Sequence, residues 1–375
     1  MTIPHCHSFQ LPDLLAIVGS LELRTNPHCR FVTDGYENWI SKEPDMLTVN
    51  ELIYLRSTKL GLLAALCFPT CDVPQLRILT DFIVTMFYSG MRECAPGYSS
   101  ELSNLKKEEP RGQSSTEESQ EQESAVDVLK NQELFKHLFD DHFIHLISKA
   151  SPSWNFRLSQ SVQSFQAARN RFMLNQSKSE IPTLEDYIEM RRELHGITMS
   201  FVVAELLEVF QVPELQGAGA ETLESLKRCA FDIIAWSMDV VSYRLDQSRG
   251  VTQNLVAILM LHKNLSVQGA MNLCGNMVKD SFISFSSFER ALLALFDPDG
   301  SLKFPVFSWM WKSIMPDASS VEEAETMLKI VKRYIQALKD YIIGIINWVY
   351  ETELFFGKRG GEIRAFGWVF ADQSP

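Results

Sequence analysis

Apolar residues in this chain recur at spacings of three and four, stretch after stretch, with the breaking residues falling between the stretches. Leu52 to Leu66, LIYLRSTKLGLLAAL, is the plainest case and is rich in the Leu and Ala that favour helix. The same spacing returns over 126–148, 156–174, 184–210, 222–246, 254–263, 267–290 and 321–356. Pro69, Pro74, Pro152, Pro182, Pro213, Gly250, Pro298, Pro305 and Pro316 punctuate them. No run alternates with period two for long enough to build a sheet. No period of about 20 to 50 residues repeats, which disfavours a solenoid. The fold class expected is all-α.

One stretch departs from the pattern. Ser99 to Ser124 has no aromatic residue and is dominated by Ser, Glu and Gln, too little apolar surface to offset the entropy of ordering. It reads as a mobile polar loop over 99–124 within one domain spanning 1–375. A linker is the alternative, but the flanking stretches are too apolar to stand as independent small domains.

Charge and cysteine usage narrow the function. The formal charge is −12, from 35 Lys+Arg against 47 Asp+Glu, so no nucleic-acid surface is expected, and an anionic substrate would need local cations or metal ions. Seven cysteines, odd in number and without a CxxC pair, read as reduced thiols of a cytoplasmic protein. The opening MTIPHCHSFQ lacks a basic region followed by an apolar stretch, and no apolar run reaches the roughly 18 residues that span a bilayer. Stable membrane insertion is therefore not expected.

The segment Ala235 to Gly250, AWSMDVVSYRLDQSRG, carries the most chemistry. On a helix, Met238, Ser242 and Asp246 stand at i, i+4 and i+8, while Asp239, Ser242 and Asp246 stand at i, i+3 and i+7, within about 60° of one another. The second set is all oxygen, the donor type that Mg²⁺ takes. An amphipathic helix with a solvated edge accounts for the same spacing.

This segment, followed by TQNLVAILML, resembles the second metal-binding segment of fungal class I terpene synthases, which the family writes WSNDxxSYxxEQxRGDxxHNxV. Other stretches agree in order: Asn26-Pro27-His28 with Trp39; Gly61, Ala64, Ala65 and Pro69; Leu76-Arg77 with Asp81-Phe82; Ile181 to Tyr187; Arg191-Arg192-Glu193-Leu194-His195-Gly196; and WVYETELFFGKRGGEI from Trp348 to Ile363. The resemblance implies a single-domain helical bundle around an apolar cavity, Mg²⁺ as cofactor and a prenyl diphosphate as substrate, with farnesyl diphosphate ionised and cyclised to a sesquiterpene. It implies Asp239, Ser242 and Asp246 as metal ligands, Arg192 as the diphosphate-sensing group, His195 as the linker position and Gly196 as the residue whose backbone carbonyl, at a helix break, guides the first cation. Arg249 aligns with a further substrate-binding position. A catalytically impaired relative that binds an isoprenoid or a protein partner is the alternative.

The departures concern contacts to metal and diphosphate. Where the family places its first aspartate-rich motif this chain has Gly90-Met91-Arg92-Glu93-Cys94, and Met238 replaces a metal-binding Asn. A thioether is a poor ligand for a hard cation. Leu354-Phe355 replaces an Arg-Tyr pair, removing a guanidinium and a hydroxyl together. Phe139-Asp140-Asp141 lies too close to the second segment for the family's order and reads as a helix face. His142 and His145 share a spacing that two metal ligands could use, without a third nearby, and His5-Cys6-His7 offers incidental metal affinity at most. GxGxxG, GxxxxGK[ST] and GxSxG do not occur.

Overall fold

The computed structural model describes residues 8–42, 48–93, 147, 149–194, 196–207, 209–296 and 321–370. The polar stretch 99–124, the Phe-Asp-Asp at 139–141, His142, His145, His195 and His5 to His7 lie outside them.

Strand β1 (Ser8–Gln10) is followed by α1 (Leu14–Ile17), α2 (Cys29–Lys42), α3 (Val49–Ser57), α4 (Leu60–Cys67) and α5 (Val73–Glu93). Then come α6 (Pro152–Lys178), α7 (Leu184–Leu194), α8 (Ile197–Leu206), α9 (Gly217–Ser248), α10 (Leu255–Lys263), α11 (Val267–Ala294) and α12 (Val321–Glu351). A 3-10 turn at Gly357–Arg359, α13 (Gly360–Phe366) and β2 (Trp368–Phe370) complete the order. The all-α expectation holds. Strands β1 and β2 pair antiparallel, Ser8 opposite Phe370 and Gln10 opposite Trp368, and at three residues each they are too short to leave a period-two signal.

Local chemistry sets several helix starts. Thr48 and Glu51 form a reciprocal capping box on α3, and Ser151, Asn254 and Ser266 accept backbone N–H bonds at the starts of α6, α10 and α11. Pro74 and Pro152 open helices rather than separate them, because first-turn N–H groups have no intrahelical acceptor to lose. The apolar stretch 52–66 is divided at Thr58 and Lys59, and 184–210 is divided at Gly196.

Helix α9 runs through the centre and packs on α7, α10, α11 and α12. From Ala230 to Ala235 and on through Val240 and Val241 nearly every side chain is buried. Phe201 on α8 packs against Phe210, Phe231, Tyr334 and Tyr341. Helix α4 lies directly on α12 at Gly344, where a Cβ would come within 2.8 Å of the Leu66 carbonyl, so that crossing requires glycine. Among the described residues Cys29, Cys67, Cys71, Cys229 and Cys274 are free thiols, and no helix is long and apolar enough to cross a membrane.

Candidate active site

A cavity of about 740 Å³ opens between α5, α6, α7, α8, α9 and α12. Its wall is largely apolar and aromatic, with Ile83, Met86, Phe87, Phe165, Phe172, Ile234, Trp348 and Phe355 all facing it. Trp348 is locked by donating its indole N–H to the Thr58 carbonyl at 2.8 Å and by an edge-on contact with Phe355. Arg191, Asp239, Ser242, Asp246, Arg249 and Gln253 also line it, and form a polar rim where α7 meets the last turns of α9 and the loop after it.

Gly196 lies at the break between α7 and α8, with φ +63°. A Cβ there would meet the Met86 methyl at 2.8 Å, so both backbone conformation and space demand glycine. It faces the cavity, and its carbonyl accepts the Ser200 backbone N–H at 3.2 Å. Its expected neighbour in function, His195, is outside the described residues.

The oxygen triad on α9 is assembled only in part. Asp239 is 1% exposed, and both of its carboxylate oxygens are engaged. Tyr187 donates to Oδ2 at 2.5 Å, the Leu255 backbone N–H donates to the same oxygen at 3.1 Å, and Arg191 donates its Nε to Oδ1 at 2.6 Å. Burial opposes the Arg191 charge, yet Asp239 beside it holds the guanidinium above its ordinary pKa. Burial and the same carboxylate push the Tyr187 phenol well above its ordinary range, so it remains a donor. Asp239 therefore serves its neighbours.

Ser242 and Asp246 do come together. The Ser242 hydroxyl donates to Asp246 Oδ2 at 2.7 Å, and the Asn254 amide donates to the same oxygen at 2.8 Å and to Ser242 Oγ at 3.3 Å. Asn254 also donates to the Asp239 carbonyl and caps α10 through its own oxygen, so it ties the rim to the start of the next helix. Burial pushes the Asp246 carboxyl above its ordinary range, against the bonds from Ser242 and Asn254. One residue type in this arrangement was readable beforehand: an Asn immediately before LVAILML is a helix N-cap signal.

The two adjacent arginines of α7 divide differently from the resemblance. Arg192 forks onto Asp232 at 2.7 and 2.8 Å and is not among the residues lining the cavity, whereas Arg191 is. Arg249 lines the cavity and donates to the Tyr54 hydroxyl at 3.2 Å. Met238, Leu354 and Phe355, which replace polar family residues, face the cavity too.

The donor set suits a hard cation only through two side chains, Ser242 and Asp246. Among the described residues no group of three or more His, Cys, Asp or Glu side chains gathers as a metal site. One carboxylate with substrate oxygens and water is an accepted way of holding Mg²⁺.

The family described as "Terpene synthase family 2, C-terminal metal binding" matches residues 104–282. Sesquiterpene synthase Agr1 of Cyclocybe aegerita is 28% identical over 95% of this chain and 90% of its own length. Sesquiterpene synthase 6 of Postia placenta is 25% identical over 95% of this chain and 93% of its own. Among solved structures, α-eudesmol synthase superposes with a TM-score of 0.63 at 16% identity, covering 88% of this chain and 96% of that one. Hedycaryol synthase in complex with HEPES superposes at 0.64 with 17% identity, covering 91% and 98%.

Proposed function

We propose that this chain, similar in sequence to sesquiterpene synthases and sharing the fold of solved terpene synthases, ionises a prenyl diphosphate and cyclises the resulting cation to a sesquiterpene. The substrate in this reading is farnesyl diphosphate and the cofactor Mg²⁺. The observation that carries it is the division of one cavity into an apolar, aromatic body and a rim bearing two guanidinium groups, two carboxylates and a hydroxyl.

Arg191 and Arg249 bind the diphosphate oxygens. Arg191 is oriented for this by Asp239 and by Tyr187 behind it. The sensing role that the resemblance gives to Arg192 passes to its neighbour, and Arg192 holds α7 to α9 through Asp232. Ser242 and Asp246 would hold Mg²⁺, which supplies positive charge to the departing diphosphate. Asn254 keeps those two side chains side by side. Gly196 brings its backbone, at the break between α7 and α8, up to the carbon that becomes positive, and aromatic faces along the wall stabilise the charge by about 0.5 to 2 kcal/mol each. The apolar wall keeps bulk water from the cation.

Purified protein given farnesyl diphosphate and Mg²⁺ should release a terpene detectable by gas chromatography, and Arg191→Ala and Asp246→Ala should each remove it. No product from prenyl diphosphates of three chain lengths at saturating Mg²⁺ would overturn the reading. Met238, Leu354 and Phe355 at the cavity favour a second one, an impaired relative that binds an isoprenoid without turnover. That protein would gain thermal stability from a prenyl ligand and respond little to Mg²⁺.

A further inference from the structure

The two guanidinium groups at the rim are held in different ways. Arg191, its side chain 13% exposed, is bound to the Asp239 carboxylate. Arg249 stands exposed just past the last turn of α9, and among the described residues its guanidinium pairs with no carboxylate. Its hydrogen bond goes to a neutral oxygen, the Tyr54 hydroxyl at 3.2 Å. A guanidinium held this way keeps its charge, and the N–H groups left over, open to an anion from outside.

Tyr54 lines the same cavity from α3. Its ring stacks on Phe87 of α5, with centroids 6.5 Å apart and planes inclined by 28°. One turn further along α3, the Ser57 carbonyl accepts the Glu353 backbone N–H at 3.0 Å and the Thr352 hydroxyl at 3.3 Å, which fixes α3 against the turn after α12. Taking the Arg249 bond on a lone pair leaves the phenol its own proton, and among the described residues no oxygen accepts it. A guanidinium and a phenol O–H thus stand side by side at the mouth, both as donors that an anionic oxygen can take.

Their place in the fold decides which part of the anion they meet. Arg191 lies in the last turn of α7, beside the break at Gly196. Along α9 the order runs from Asp239, which anchors Arg191, through Ser242 and Asp246 to Arg249 beyond the helix end. We propose that Tyr54 and Arg249 clamp the terminal phosphate of the substrate, while Arg191 takes the phosphate joined to the prenyl carbon. The inference rests on the diphosphate reading of the preceding section and assigns its far end. Tyr54 has two tasks in the clamp: it orients the Arg249 guanidinium, and it donates its own proton to a terminal-phosphate oxygen. No covalent bond changes at the pair. Its consequence is selectivity, because a monophosphate bound through Arg191 has nothing to offer the clamp.

Two ligands that differ by one phosphate test this. Farnesyl thiolodiphosphate, in which sulfur replaces the bridging oxygen and ionisation is suppressed, and farnesyl monophosphate are each titrated calorimetrically in the presence of Mg²⁺. Tyr54→Phe, which keeps the ring on Phe87, should weaken the thiolodiphosphate about tenfold and leave the monophosphate unchanged. Arg249→Gln should show the same selective loss. Equal losses for both ligands would make Tyr54 a brace of the mouth and overturn the proposal, as would an unchanged thiolodiphosphate affinity. Turnover of farnesyl diphosphate, followed separately by gas chromatography, tells this failure from failure of the underlying reading. A terpene-forming enzyme whose preference ignores Tyr54 strikes the clamp alone. A preference that follows the variants in a protein without turnover upholds the clamp and strikes only the ionisation chemistry. Wild type that binds neither ligand overturns both. Should Tyr54→Phe fail to fold, Arg249→Gln decides on the same two ligands.

Discussion

Asp239 and Asp246 sit two turns apart on one face of α9, yet their surroundings differ in kind. Asp239 is held by a guanidinium, a phenol and a backbone N–H, all inside the protein. Asp246 has neutral donors from Ser242 and Asn254 and opens onto the cavity. A buried carboxylate with an internal counter-charge is part of the architecture. One that takes its hydrogen bonds from neutral donors, with Arg191 acting on it only at longer range, keeps the capacity to attract a cation from outside. Position on the helix face is shared; the company each acid keeps decides its job.

The contrast can be broken most forcefully at Asp239. Asp239→Ala leaves Arg191 buried without its anion, and urea denaturation should record a loss of about 3 to 5 kcal/mol. A variant as stable as wild type would mean the pair contributes nothing to folding. Asp246→Ala should reverse the balance: stability within about 1 kcal/mol of wild type, but turnover down by about 10² to 10³, read by gas chromatography. If that variant melts early and its remaining folded fraction turns over normally, the two acids do not differ in role.

Tyr187→Phe removes one donor to a charged acceptor and should cost about 1.5 to 3 kcal/mol in the same denaturation experiment. Combined with Asp239→Ala it should cost almost nothing more, because the partner is already gone. The smallest effect is expected at Met238→Asn, which adds an amide oxygen beside Ser242. Half-saturation by Mg²⁺ should fall severalfold, roughly 1 kcal/mol, with no change in melting temperature. An unchanged value would place residue 238 outside the metal's reach.

The helical architecture was legible because burying one stripe of a helix imposes a period that survives in the residues themselves. Gly196 as a break was legible only through resemblance to a motif, since apolar spacing continues across it from Leu184 to Phe210. Which of Arg191 and Arg192 faces the cavity was not legible. Adjacent residues point about 100° apart, and the choice depends on where α7 rests on α9. The spacing of Asp239, Ser242 and Asp246 correctly put them on one face, but spacing says nothing about donors arriving from α7 and α10. Tyr187 and Leu255 supply those donors and lie far from Asp239 in sequence.

The β1–β2 ribbon lays Ser8 beside Phe370, so the described chain is almost a closed ring. A short splice across that junction would allow new ends to be opened elsewhere, for example in the exposed turn at Ser179 and Glu180 between α6 and α7. Every wall of the cavity would survive such a permutation, and the order in which its helices leave the ribosome would become a variable under experimental control.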